Sequence, residues 1–360
     1  MYCNPKNSLI LVVSSLTAGG AEKVMAEIAN TAVRWVQVKL IVLSKKCHFY
    51  SIDSRVKMQE PYFVIEGMSR IHFMWKNFWW LRNELKMSTG KSVLSFSGKY
   101  NAFVLVASLG LCKNVYVSDR SRPGISYGKF LDFLNPLVYM KAAGIVAQTE
   151  EAKRYSYQQT KHNNIKVIPN PIALPKELLF SKKEPIVLNV GRFIASKHQD
   201  QLIEYFESCQ RSQWKLVFLG DGNHFEQVKE IAESSRCVEQ IKLLGNVKNV
   251  GEWYNNSAIF AFTSTSEGFP NALAEAMAHG CACISYDCTA GPADIIDDGI
   301  NGFLIPEGDH EMYKEKLSLL MVDEDLRLRF GKAAREKMKQ FDAENITQRY
   351  LDFILEGTTE

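Results

Sequence analysis

Short, nearly uninterrupted apolar runs recur along this chain, and each stops at a glycine or polar turn before a segment of helical periodicity. Ser8–Ser15 (SLILVVSS) and Val36–Ser44 come first, followed by Val93–Phe96, Val115–Ser118 and Gly144–Thr149. A second set begins at Pro185 and comprises IVLNVG, KLVFLG, IKLLG, AIFAFTS and CACIS. Strands that are apolar on both faces belong inside a sheet covered by helices on both sides, which means parallel strands joined by βαβ crossovers. The segment LTAGGAEKVMAEIANTAV supplies one such crossover. It is a glycine turn followed by Val24, Met25, Ile28, Ala29 and Ala32 at helical spacing. The expected fold class is α/β.

At 360 residues the chain is longer than a single core usually serves. Pro169, Pro171 and Pro175 punctuate the stretch between the two sets of runs and read as a linker. The expectation is a first domain over 1–170, a second over 171–340, and a terminal helix over 341–360 that packs back on the first domain. Within the first domain 45–70 reads as irregular. Ile71–Lys86 reads as a helix rich in aromatic and basic residues, either a core helix with a charged face or a lip for an acceptor or lipid head group. Leu326–Met338 and Ala343–Leu355 read as helices.

The net charge of +3 hides an asymmetry: residues 1–170 carry 23 Lys+Arg against 10 Asp+Glu, whereas 171–360 carry 20 against 30. A first half at +13 suggests an anionic partner, either a membrane surface or a phosphate-bearing acceptor. No nucleic-acid-binding motif accompanies it. The eight cysteines are scattered with no CxxC pair, which suits a reducing cytoplasm and argues against a disulfide framework or structural zinc. Cys281, Cys283 and Cys288 read as small buried hydrophobes. The N-terminus lacks the charged start and cleavage site of a signal peptide, and no window approaches the ~20 apolar residues of a spanning helix. A cytoplasmic protein, peripheral at most, is expected.

The stretch Thr263–Ala278 (TSTSEGFPNALAEAMA) ends an apolar run, turns through Glu267-Gly268-Phe269-Pro270-Asn271, and enters a helix carrying Glu275. Pro270 suits the first helical position, where a missing N–H costs nothing. A helix that starts just after a strand directs free N–H groups and its dipole at an anion. Two carboxylates beside such a site are poor phosphate ligands but good acceptors for sugar hydroxyls, so a nucleotide sugar is suggested; a charged loop and a solvated helix face would look the same. Upstream, Arg192 and Lys197 lie five apart in VGRFIASK, just after a strand, where a planar fork and a point charge can converge on one diphosphate. His198 beside them reads as a helix-surface residue. Gly220-Asp221-Gly222 reads first as a strand-terminating turn.

The ordered set GGAE, GRFIASK, FLGDG, IKLLGNVKNV and EGFPNALAE resembles the retaining glycosyltransferases of family 4, over essentially the whole chain and most strongly over 185–310. That resemblance implies the GT-B fold, two facing Rossmann-like domains with the active site in the cleft between them. It implies that Arg192 and Lys197 bind the donor diphosphate and stabilise the leaving group, a duty that would otherwise fall to a metal, so that no metal or other cofactor is needed. Glu267 would bind donor-sugar hydroxyls and Glu275 the ribose. The backbone of Gly268, Phe269, Pro270, Asn271 and Ala272 would hold sugar and phosphate, and Asn246 and Val247 would seat the base. Gly19 and Gly20 would let the backbone approach the donor phosphate, unless they only open a helix. Glu22 would reach the acceptor or merely favour the helix N-terminus.

One position departs from the family. In the loop VYVSDRSRPG many relatives have a histidine where Arg120 follows Asp119. Arg120 would then handle a phosphate on donor or acceptor, or serve as a structural partner of Asp119. The implied activity is transfer of a sugar, from UDP-hexose or UDP-N-acetylhexosamine, to a lipid-linked saccharide in bacterial surface polysaccharide, lipopolysaccharide, capsule or glycan assembly. A sugar-nucleotide epimerase of similar fold is one alternative, although it has no need of the Glu-x7-Glu arrangement. A non-catalytic nucleotide-sugar-binding protein is the other.

Overall fold

The computed structural model describes residues 8–175 and 183–355. The chain forms two compact units, Met1–Pro171 with Ala343–Glu360, and Ile172–Asp342. The first contains β1 (Ser8–Val13), α1 (Gly20–Ala32), β2 (Gln37–Val42), β3 (Lys57–Gln59), α2 (Arg70–Met87) and β4 (Ser92–Phe96). It continues through α3 (Asn101–Ser108), β5 (Asn114–Ser118), α4 (Lys129–Tyr139), β6 (Gly144–Ala147), α5 (Glu150–Thr160) and β7 (Ile165–Val167), and the terminal helix α13 (Ala343–Leu355) packs against α1.

All its strand pairs are parallel, in the order β3-β2-β1-β4-β5-β6-β7. Alternation along β1 divides the core. Leu9, Leu11 and Val13 join one buried cluster with α1 and α13, while Ile10 and Val12 join the other with α2, α3 and α4. Side chains of successive strand residues point to opposite faces, so a run without polar interruption buries both.

The second unit contains β8 (Glu184–Val190), α6 (Gln199–Cys209), β9 (Lys215–Leu219), α7 (Phe225–Ser234), β10 (Ile241–Leu243) and α8 (Val250–Asn256). Then come β11 (Ser257–Phe262), α9 (Asn271–Ala278), β12 (Ala282–Asp287), α10 (Pro292–Ile295), β13 (Phe303–Pro306), α11 (His310–Val322) and α12 (Glu324–Met338). Its parallel sheet runs β10-β9-β8-β11-β12-β13. Strand order reverses between β1 and β4 in one sheet and between β8 and β11 in the other. Such reversals open a crevice at the strands' C-terminal ends, where α/β sheets bind ligands.

Several elements go beyond the sequence reading, the short β13 and α10 among them. The stretch 45–70 is not wholly irregular, because Lys57–Gln59 adds an edge strand to β2. Helix α11 is present between β13 and α12. Helix α4 forms despite Pro136 in its interior, where an Asn-Pro pair reads locally as a break. Tertiary bonds override the local signal: Asn135 Nδ2 donates to the Gly98 carbonyl at 2.8 Å, and the buried Tyr139 hydroxyl accepts from Asn101 Nδ2 at 2.9 Å.

Candidate functional site

The crevice at the β8/β11 reversal gathers the residues singled out in the second half. After β8 the chain passes Gly191 and Arg192, makes a 3-10 turn over Ala195–Lys197, and enters α6 through His198, a left-handed residue at φ 48°. The loop after β11 is sewn to this turn. The buried Thr263 hydroxyl donates to the Lys197 and His198 carbonyls at 2.7 and 3.1 Å, and Thr265 N donates to the Ser196 carbonyl at 2.9 Å. These bonds bring Lys197 and Glu267 into contact.

The Lys197 ammonium pairs with Glu267 Oε1 and lies 5.2 Å above the Phe262 ring centre. The two side chains are only 15% and 11% exposed, so water screens the pair weakly. Arg192 is exposed, and among the described residues no ion pair or side-chain hydrogen bond engages its guanidinium. The crevice therefore offers one cation already shared with a carboxylate and one exposed guanidinium.

Close backbone approach shapes its surroundings. Gly220 has φ 132°, and a Cβ there would stand 2.0 Å from the Gly191 carbonyl oxygen. A Cβ at Gly222 would stand 2.3 Å from the Phe193 oxygen. Phe193 N donates to the Asp221 carbonyl at 3.0 Å and Gly220 N to the Gly245 carbonyl at 2.8 Å, so the ends of β8, β9 and β10 are laced edge to edge. Gly220-Asp221-Gly222 is thus a turn, but one whose glycines are required by the neighbouring backbone. Asn246 is exposed and Val247 half-buried on the loop after β10, at the same edge of the sheet.

The helix α9 starts at Asn271, with Pro270 as its N-cap rather than its first residue. The Pro270 carbonyl accepts from Ala274 N at 3.0 Å, and the missing N–H still costs nothing in that place. Gly268, Phe269 and Pro270 are buried, whereas Asn271 and Ala272 are partly open. Gly291, at φ 102°, lets the loop after β12 press on Pro270; a Cβ there would be 2.4 Å from Pro270 Cδ. In that loop burial, reinforced by the Glu267 carboxylate, pushes the Cys288 thiol up to about 12. Glu275 lies about a turn into α9 beside the buried Tyr254. Burial and then the nearby Glu275 charge hold the Tyr254 hydroxyl well above its ordinary value. Thr263, Ser196 and Phe262, which align the lysine and the carboxylate, carry no motif that sequence reading could have found.

In the first unit Gly19 caps α1 in extended geometry, with the Glu22 carboxylate folded back over it. That places a negative charge on the positive end of α1. The Tyr50 hydroxyl accepts from Gly19 N at 3.2 Å and donates to Gly19 O at 3.1 Å, a clamp the sequence did not disclose. Gly20 is the first residue of α1.

Asp119 and Arg120 leave β5 in different directions. Asp119 accepts from the Tyr127 hydroxyl and from Ser121 N (3.2 Å), and burial raises its carboxyl pKa against those bonds. Arg120 turns inward. It donates to Ser118 Oγ at 3.1 Å, the Tyr350 hydroxyl at 3.2 Å and Asn170 Oδ1, and its guanidinium carbon lies 4.4 Å from the Phe96 ring centre.

Residues 172–337 match the family described as glycosyl transferases group 1. Over 359 residues the chain is 24% identical to the amylovoran biosynthesis glycosyltransferase AmsD of Erwinia amylovora, covering 96% of this chain and 99% of that one. Over 353 residues it is 25% identical to an alpha-1,4-N-acetyl-D-galactosaminyltransferase of Campylobacter jejuni, covering 96% and 97%. That relative's name specifies a GalNAc-GalNAc-diNAcBac-PP-undecaprenol. Among solved structures, Anabaena HepE in complex with UDP-glucose superposes with a TM-score of 0.77 at 16% identity, covering 97% of this chain and 99% of that one; this shows a shared fold. The family match runs over the second unit, so this unit carries the glycosyl transferases group 1 domain, within a GT-B architecture of two parallel sheets.

Proposed function

We propose that the chain is a retaining, metal-independent glycosyltransferase of family 4 type, moving a sugar from a UDP-sugar to a saccharide carried on a lipid. The observation that carries this reading is the contact of Lys197 with Glu267 at the β8/β11 reversal, beside exposed Arg192. A diphosphate drawn to Arg192 and Lys197 has its transferred sugar next to Glu267. Parallel strands are spaced about 4.8 Å apart, so the loop after β10 lies about 10 Å from the end of β8, within reach of the ribose and base of the same nucleotide. Glu275, one turn into α9, is the carboxylate for the ribose hydroxyls.

In the reaction the bond from the sugar's anomeric carbon to the diphosphate oxygen breaks, and a bond to the acceptor oxygen forms on the same face. The acceptor proton passes to the departing phosphate oxygen. Arg192 and Lys197 stabilise the charge that develops on the nucleoside diphosphate. The lipid-linked acceptor is supported by the diphosphate-undecaprenol in the Campylobacter relative's name and by the excess of positive charge in residues 1–170. Asp119 is the carboxylate proposed for the acceptor, while the bonds that turn Arg120 inward favour a supporting role for it.

A panel of nucleotide sugars, read by nucleoside diphosphate release with and without a polyprenyl-diphosphate-linked saccharide, tests the proposal. UDP release that depends on the acceptor, persists in chelator and is lost in Arg192→Ala is expected. Arg192→Ala turnover near wild type would refute the site assignment. Rapid donor interconversion without acceptor would favour an epimerase.

A further inference from the structure

Of the 24 exposed large apolar side chains among the described residues, 18 lie in the first unit, all between Tyr62 and Tyr157. The concentration is densest on α2 and α4. On α2, Trp75 and Trp79 are 62% and 53% exposed, one turn apart, with Ile71 a turn earlier. On α4, Phe130 and Phe133 are 74% and 71% exposed, and Leu137 and Met140 continue the same stripe at helical spacing. Helix α3 packs against both α2 and α4, and all three bury their inner residues in one core cluster, so they cover a single face of the sheet.

Two Phe rings left this open forgo about 1.5–3 kcal/mol each of available burial, which marks the face as one that meets something apolar. The charge of the same region narrows the choice. Residues 70–141 carry 11 Lys+Arg against 3 Asp+Glu, and with the inward-turned Arg120 set aside the range still holds more than half of the excess in the first 170 residues. An aromatic face framed by cations complements the head-group zone of an anionic bilayer, where rings reach the acyl boundary and lysines meet phosphates.

A groove gives the contact a specific seat. A cavity of about 730 Å³ opens between α3 and α4, walled by Val106, Leu109 and Leu137 and edged by Lys91, Lys113 and Lys141. The Lys113 ammonium is held by the Ser88 and Gly90 carbonyls. Lys91 and Lys113 immediately precede β4 and β5, so the groove is at the opposite end of these strands from Asp119 and is distinct from the proposed acceptor carboxylate.

We infer that the α2–α3–α4 face docks on an anionic phospholipid bilayer, with the α3–α4 groove seating one lipid whose phosphate meets Lys91, Lys113 and Lys141. Among the described residues no helix is long and apolar enough to cross a membrane, so these residues make a surface contact. The inference rests on the proposed function only in that a lipid-linked acceptor is met at a bilayer; its residues are separate from the donor motifs.

The test is flotation of the full chain with vesicles of phosphatidylcholine alone or mixed with phosphatidylglycerol. Wild type should float with the mixed vesicles at low ionic strength, and less as salt rises. Lys91→Glu/Lys141→Glu should weaken binding at least roughly 25-fold, at about fivefold for each basic residue near the surface. Phe130→Ser/Phe133→Ser should weaken it at least about tenfold by removing inserted apolar area. UDP binding in solution should be unchanged in both pairs, which verifies folding and keeps the donor reading separate. Failure of wild type to float at low salt, or flotation of both variant pairs like wild type, would overturn the inference. So would a wild-type dimer that ignores vesicles and that Phe130→Ser/Phe133→Ser dissociates, because a second copy would then be the occupant.

Discussion

Glu267→Gln removes one charge from the Lys197 contact while keeping the side chain's size. Both groups are below one-sixth exposed, so the substitution leaves an ammonium without its counter-charge in a poorly hydrated place. Breaking a fully buried pair costs about 3–5 kcal/mol; with the residual exposure here, a loss of about 2–3 kcal/mol is expected. Ligand binding should move the opposite way. At about 6 Å and an effective dielectric of about 20, the carboxylate repels a diphosphate charge by about 3 kcal/mol. Salt screening and solvent access reduce this by about half, leaving roughly tenfold tighter UDP binding. Calorimetric titration of UDP at two salt concentrations reads the effect, which should shrink as salt rises. Turnover of the UDP-sugar should nevertheless fall at least about hundredfold, because the acceptor for sugar hydroxyls is weakened where the transition state forms. UDP binding no tighter than wild type at low salt would refute the reasoning, since Lys197 would then not be divided between carboxylate and phosphate.

Other outcomes follow from single contacts. Gly220→Ala meets both φ 132° and a carbonyl oxygen 2.0 Å from the new Cβ, so a loss of more than about 2 kcal/mol by urea unfolding is expected. Asp119 has its folded pKa raised by burial, so the stability it contributes is fully present below the unfolded value near 4 and fades as pH rises through the folded one. Asp119→Asn should accordingly be more stable than wild type at pH 7, with the advantage gone below about pH 4, and less active if Asp119 binds the acceptor. Urea midpoints at the two pH values and one rate measurement decide it. Cys288, held up to about 12 behind its loop, should resist iodoacetamide at mildly alkaline pH while exposed Cys47 and Cys112 react at least about a hundred times faster. Peptide mass spectrometry reads the order.

The alternation of strand and helix, the parallel character of the strands and the order of the motifs were legible in the residues themselves. Each depends on local pattern: a two-faced apolar run, a glycine turn, a 3.6-residue period. The buried Tyr313, Leu317, Leu320 and Met321 of α11 stand at helical spacing as well, a local signal that the sequence reading passed over. Helix α4 was not legible, because Pro136 argues locally against it and the bonds of Asn135 and Tyr139 that outweigh the proline come from residues about 40 positions away. The apolar stripe α4 exposes was hidden for the same reason. Sequence could assign Lys197 to a phosphate and Glu267 to a sugar, but not pair them across 70 positions. That contact follows from β8 and β11 being neighbours and from Thr263 binding the turn after β8. Arg120 stood free to face a ligand until Asn170 and Tyr350 were placed around it. Local chemistry determined which residue types this protein carries at its strand ends; strand order and long-range hydrogen bonds decided which of them meet.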